Sequence, residues 1–197
     1  FAVQGNRLVT TKPIDFESTR TVQLRIRATP PSGAPVEQQV TIDVTDEPAV
    51  IAECIGEQFA ARGIDRYLLA PGLAGEYLAL LPGSAADNTG IGVGELDATP
   101  AVVTGSVAAI AETGTIILDG SPPCGRRALS LVPDVHVCLV TAASIAGTVP
   151  EALAMVEQSA PLTMISGPSA TSDIELHRVE GVHGPRMLIV IITGASA

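Results

Sequence analysis

Leu162-Thr-Met-Ile165, running on into Ser166-Gly-Pro-Ser-Ala-Thr-Ser-Asp-Ile-Glu175, carries a strand, a turn and a helix start in direct succession. The apolar run is short enough for a strand, and Gly167-Pro168 ends it. Ser172 then stands as an N-cap with Glu175 three residues on, the spacing in which each side chain satisfies the other residue's free backbone donor. A helix start of this kind turns N–H groups and a positive dipole end toward an anion. A purely structural turn and cap is the competing reading.

Outward from this unit the same alternation recurs. Val50 to Arg62 carries Ile51, Cys54, Ile55 and Phe59 at helical spacing and stops at Gly63, a suitable C′ residue. Strands are expected at Tyr67 to Ala70, Ala101 to Thr104, Thr115 to Leu118, Val135 to Val140 and Met187 to Thr193, and helices at Ala74 to Leu81 and Val149 to Gln158. Strand and helix in turn predict an α/β layered fold with a mainly parallel sheet, in which ligands sit beyond the carboxyl ends of the strands. Gly90-Ile-Gly-Val-Gly94 lacks a preceding strand and the third glycine of a nucleotide loop, so it reads as a flexible loop.

The composition suits that fold. Hydrophobic residues make up 46% and charged residues 16% of 197, and aromatic residues only 3% with no Trp, a core of Val, Ile, Leu and Ala such as a sheet buried on both faces uses. A formal charge of −10 disfavours nucleic acid and anionic membranes as partners. No stretch approaches the roughly 18 apolar residues of a membrane span. Cys54, Cys124 and Cys138 are too scattered for a zinc or iron–sulfur set and read as buried thiols, and the three histidines lack zinc-site spacing, so no metal is expected.

The texture changes near Pro48. Val22, Leu24, Ile26 and Ala28 alternate with polar residues, as do Val40, Ile42 and Val44, so Thr21 to Thr45 reads as an antiparallel hairpin with a Pro- and Gly-rich connection. Two units are expected, a β segment at 1–48 and an α/β domain at 49–197.

Two resemblances bear on these units. Through Val102-Val-Thr-Gly105, Ile110-Ala-Glu-Thr-Gly-Thr-Ile-Ile-Leu118, Arg127-Ala-Leu-Ser-Leu-Val-Pro-Asp-Val-His-Val137, Ser166-Gly-Pro-Ser-Ala-Thr-Ser-Asp-Ile-Glu175 and Gly181-Val-His-Gly-Pro185, the region from about Ile51 to Thr193 resembles the LUD-domain family, in particular its lactate-utilisation protein C group. The resemblance implies a Rossmann-like sheet related to sugar-phosphate isomerases and CoA-transferases. It also implies a cytoplasmic bacterial component of L-lactate oxidation to pyruvate, binding a small anionic or acyl ligand beside iron–sulfur partner proteins that carry the clusters, with no cofactor of its own. Phe1 in place of Met and the lack of the family's N-terminal portion lead us to expect a fragment.

Residues 1–48 resemble the second half of a cadherin-like repeat, through Leu8-Val-Thr-Thr11, Ile14-Asp-Phe-Glu17 and Thr41-Ile-Asp-Val-Thr-Asp-Glu-Pro48. Asp15, Glu17, Asp43 and Asp46 match calcium-binding positions loosely, and Thr29 stands where an Asp is expected, so calcium should bind weakly if at all.

For the larger unit, Glu112, similar in placement to the nucleophilic glutamate of the CoA-transferase relatives, and His183 are the expected catalytic residues, and the expected ligand site draws on Gly105, Thr113, Gly114, Gly167, Ser169, Thr171, Ser172, Asp173 and Arg126. Glu112 precedes a strand, where a carboxylate acts as base, nucleophile or ligand clamp, or only as a structural group. His183, between glycines, is the imidazole best placed for proton transfer, or a loop histidine with no task. Arg126 and Arg127 offer a bidentate clamp for a carboxylate or phosphate, or a solvated basic pair. His136, within an apolar strand, reads as a satisfied core residue. Glu112, Ser169 and His183 are expected to converge at the carboxyl edge of the sheet. Calcium-dependent adhesion and a non-catalytic assembly subunit are the alternative functions.

Overall fold

The computed structural model describes residues 47–157, 159–168 and 184–194 in full, and the backbone of 2–4, 7–9, 21–28, 36–43, 170–171 and 179–180. Near the N-terminus, β1 (Ala2–Gln4) pairs antiparallel with β2 (Arg7–Val9), and β3 (Thr21–Ala28) pairs antiparallel with β4 (Val36–Asp43). The second pair is the hairpin that the alternation predicts. Most positions that carry the cadherin-like resemblance, Asp15, Glu17 and Asp46 among them, lie outside the described residues.

From Pro48 the chain is a mixed α/β protein with a mainly parallel sheet. Helix α1 (Pro48–Ala60) starts on a proline, which has no N–H to leave unsatisfied. It ends where Gly63, at φ +66°, lets the Gly63 and Ile64 N–H groups reach the Ala60 and Phe59 carbonyls. Next come β5 (Tyr67–Leu69), α2 (Pro71–Tyr77), β6 (Ser84–Ala86), α3 (Val93–Asp97) and β7 (Ala101–Gly105). They are followed by β8 (Ala108–Ile110), β9 (Thr115–Leu118), β10 (Val135–Thr141), β11 (Ile145–Ala146), α4 (Val149–Met155), β12 (Thr163–Ile165), β13 (Ala170–Thr171), β14 (Val179–Glu180) and β15 (Met187–Thr193).

The main sheet is parallel throughout, in the order β15, β10, β7, β5, β6. Counted along the chain these strands run 2-1-3-4-5, a doubly wound order whose direction reverses between β5 and β7. Strand β10 shows why the sequence reads as one continuous apolar run: Val135, Val137 and Leu139 pack under α1, while Cys138 and Val140 face the opposite layer.

That opposite layer contains a second sheet that the sequence reading does not anticipate. Its order is β11, β8, β9, β12, with β8 and β12 both antiparallel to β9. Ile116 and Leu118 of β9 pack on Cys138 and Val140, and Ile117 turns the other way to meet Ala152 of α4. The helix expected to run to Gln158 stops at Met155. The expected flexible loop at Gly90–Gly94 instead leads into α3, with Gly92 at its N-cap and Leu96 fully buried. No helix among the described residues is long and apolar enough to cross a membrane.

Candidate functional site

Strands β8 and β9 pair Ile110 with Thr115, so 111–114 form a hairpin turn that carries Glu112, Thr113 and Gly114 into solvent. Gly114 takes φ +63°, a conformation that suits glycine, and the Glu112 N–H donates to the Gly147 carbonyl at 3.2 Å. Thr115, buried at the start of β9, links this turn to the next strand through hydroxyls: Thr113 Oγ1 and Thr115 Oγ1 are 2.6 Å apart, and Thr115 Oγ1 and Ser166 Oγ are 2.8 Å apart. Gly167 follows at φ +110°. One end of the second sheet thus gathers Thr113, Gly114 and Gly167, with Glu112 beside them, around hydroxyls that donate or accept.

Two expected site residues stand elsewhere. Gly105 ends β7 in the parallel sheet, buried, and Arg126 follows the turn at 121–125. Glu112 belongs to the hairpin of the second sheet and not to a loop of the parallel sheet, because the chain after β7 turns back as an antiparallel pair. Thr171 lies in β13, whose backbone pairs with β14. Ser169, Ser172, Asp173, Glu175, His177 and His183 lie outside the described residues.

Ligands of a doubly wound sheet bind where the strand order reverses, here at the carboxyl ends of β5 and β7. The chain covers that crevice with its own turn. Pro122 accepts the Gly72 N–H and Pro123 accepts the Gly105 N–H, both at 2.8 Å. The turn is held at its base by Arg126, which grips Asp87 at the end of β6 through Nε–Oδ2 at 2.8 Å and Nη2–Oδ1 at 2.7 Å, and also donates to the Ile91 carbonyl. The carboxylate clamped by Arg126 is therefore the protein's own. Arg127 is exposed.

Beneath this turn is a buried polar group that the sequence reading leaves unassembled. His136 is fully buried, and its Nε2 lies 2.8 Å from Thr104 Oγ1. Thr104 also reaches the Cys138 thiol, which points to the Gly105 carbonyl. Burial lowers the His136 pKa to about 4 and raises that of Cys138 to about 12. His136 is only half satisfied, since Nδ1 is buried with no partner among the described residues. The signal in the sequence was a hydroxyl, an imidazole and a thiol inside otherwise apolar strands. Asp119 closes the layer: burial alone would raise its carboxyl, yet hydrogen bonds from Ser121 and Cys124 outweigh that and hold it below its ordinary value.

On the other face of the parallel sheet, a groove of about 350 Å³ runs along α1, floored by Ala52, Gly56, Ala60, Ile64 and Tyr67 and bounded by Leu80. It is separate from both clusters. Among the described residues no three His, Cys, Asp or Glu side chains are grouped to hold a metal ion.

A parallel sheet wound 2-1-3-4-5, with a smaller sheet and α4 layered on one face, defines a class of α/β protein, and comparison with known proteins names the family within it. Residues 95–193 match the LUD domain, and the chain belongs to that family. It is 45% identical over 157 residues to lactate utilization protein C of Deinococcus radiodurans, a match covering 78% of this chain and 71% of that protein. Lactate utilization protein C of Bacillus subtilis is 34% identical over 91 residues, covering 42% of this chain and 38% of that protein. A crystal structure of a DUF162 family protein from Deinococcus radiodurans superposes with a TM-score of 0.60 at 39% identity, covering 77% of this chain and 85% of that one.

Proposed function

We propose that this chain serves L-lactate utilisation, as a component of the oxidation of L-lactate to pyruvate that binds a small anionic or acyl ligand. The observation that carries this reading is the 45% identity to a lactate utilization protein C across most of that protein's length. Hydroxyl chemistry at the end of the second sheet supports it. Thr113, Thr115 and Ser166 offer donors and acceptors beside Gly114 and Gly167, where the backbone can approach a carboxylate closely. In this reading Glu112 is the base or clamp, and Ser169, Thr171, Ser172, Asp173 and His183 complete the site from the segment that follows.

The reading also places the iron–sulfur clusters on partner proteins and the assembly in the cytoplasm. The α/β unit from residue 49 is taken as the working domain, akin to sugar-phosphate isomerases and CoA-transferases, with 1–48 as a separate β segment. Growth on L-lactate tests it, in a strain that lacks its own lactate utilization protein C and is complemented with this chain. Growth restored by the parent chain and impaired by Glu112→Gln, with unchanged melting, supports the reading. Failure of the parent chain to restore growth argues against it, and full growth with Glu112→Gln removes Glu112 from the chemistry.

A further inference from the structure

His136 lies on an inner strand of the parallel sheet, in register with Val102 of β7 on one side and Leu188 of β15 on the other. In register, paired side chains share a face, so the ring lies beside Val102 and next to Cys138 two residues on. Val102 packs against Leu129 and Val132, and Cys138 packs against Cys124. Residues 119–134, which form turns and neither helix nor strand, therefore lie over this face beside Ile116 and Leu118 of β9.

We propose that this turn segment is an acid-released cover, opening from the buried face of β10 when His136 takes up a proton. Among the described residues the neutral ring has Thr104 as its one hydrogen-bond partner. A second proton turns Nδ1 into a donor that carries charge, in a place where no acceptor is present among the described residues. The flanking strands cannot yield, because β7 and β15 are tied to β10 along their lengths. The cover has no ladder of that kind: its hydrogen bonds link Pro122 to Gly72, Pro123 to Gly105 and Arg126 to Asp87 and Ile91, and the rest of its hold is apolar packing of Cys124 and Leu129. Water reaches the ring at least cost through the cover, and its release also uncovers the crevice at the ends of β5 and β7.

Among the described residues no charge in the layer competes for the proton: in the cover Arg127 is exposed and Asp134 pairs with Arg186. On β10 the neighbouring titratable group is the Cys138 thiol, and in the cover it is the Cys124 thiol. Strand β7 contributes Thr104 and Val102, β15 contributes Leu188 and Val190, and β9 contributes Ile116 and Leu118. Asp119 is engaged by Ser121 and Cys124, and Asp87 by Arg126. The shift of the His136 ring arises from burial alone.

A ring that binds its proton near 4 when covered and at its ordinary 6.5 when open opens more as pH falls between those values. From pH 7 to pH 5 the open fraction should rise about 20-fold. The test is labelling of Cys124 and Cys138 in the full chain with 4,4′-dithiodipyridine, followed by peptide mass spectrometry and normalised at each pH to glutathione. The proposal expects that rise with far-UV circular dichroism unchanged, and its loss in His136→Asn. Flat labelling, labelling that rises only as the circular dichroism collapses, or an equal rise in His136→Asn overturns it. Should that variant fail to fold, the ring is titrated by NMR in the parent chain. Labelling that climbs in step with ring protonation, by about tenfold per pH unit at most, supports the cover, and labelling independent of it overturns the idea.

Discussion

Arg126 holds Asp87 in a two-point grip across the fold, Nη2 to Oδ1 at 2.7 Å and Nε to Oδ2 at 2.8 Å, with the Asp87 side chain 2% exposed and that of Arg126 31%. The pair joins the turn segment after β9 to the end of β6, two places that are neighbours only because the sheet is wound with β6 outside β5.

Removing the cation leaves a carboxylate in a dry site. Arg126→Met should cost about 2–3 kcal/mol, below a fully buried pair because the guanidinium is partly solvated. Asp87→Leu with Arg126→Met should recover most of the loss, since a paired charge and an apolar pair of similar volume are close in stability. Chemical denaturation of the three proteins checks this, and equal loss in the double variant would count against it.

Gly72 is where the backbone of α2 meets the 121–125 turn. A Cβ there would lie 2.5 Å from the Pro123 nitrogen and 2.6 Å from the Pro122 carbonyl carbon, both backbone atoms that cannot rotate away. Gly72→Ala should therefore destabilise by about 1–3 kcal/mol despite alanine's better helix propensity. Gly75→Ala, in the same helix with nothing near the added carbon, should be neutral or slightly stabilising. Melting temperatures of the two variants should separate accordingly.

Thr148 and Glu151 cap α4, where Glu151 accepts the Gly147 and Thr148 N–H groups at 2.9 and 3.0 Å. Glu151→Ala should cost about 1 kcal/mol, and Glu151→Gln less than half as much, because an amide oxygen still accepts. Hydrogen exchange of the Gly147 and Thr148 amides should quicken in the alanine variant.

Asp134 and Arg186 pair at the amino-terminal ends of β10 and β15, with side chains 44% and 61% exposed. Hydrogen bonding from Arg186 leads the balance that holds Asp134 below its ordinary value, against the opposing effect of burial. The contribution is thus present above the ordinary aspartate range and disappears as pH falls through the lowered value. Asp134→Asn should cost no more than about 1 kcal/mol at pH 7 in low salt, and less in 1 M NaCl. A loss that salt does not reduce would point to packing in place of charge.

The sequence by itself determined what local physics decides. The bounds of β9 and β15 follow from apolar runs flanked by polar or turn-forming residues, and the end of α1 from Gly63. The parallel sheet follows from strands apolar on both faces, as in Val135–Thr141. Thr113, Gly114 and Gly167 were legible as site candidates because hydroxyls and glycines interrupt those runs. The tertiary structure alone decided strand order, and with it the meeting of Arg126 and Asp87. It also made β8, β9, β11 and β12 a second sheet, a set of short strands whose paired residues are as far apart as Ile116 and Ile165 and whose pairing no local pattern encodes. It laid Pro122 and Pro123 over the crevice where a ligand was expected, and it closed the face of β10 over a histidine with one nitrogen unpaired among the described residues. Those outcomes depend on contacts between distant segments, where burial and hydrogen bonding override what neighbouring residues prefer.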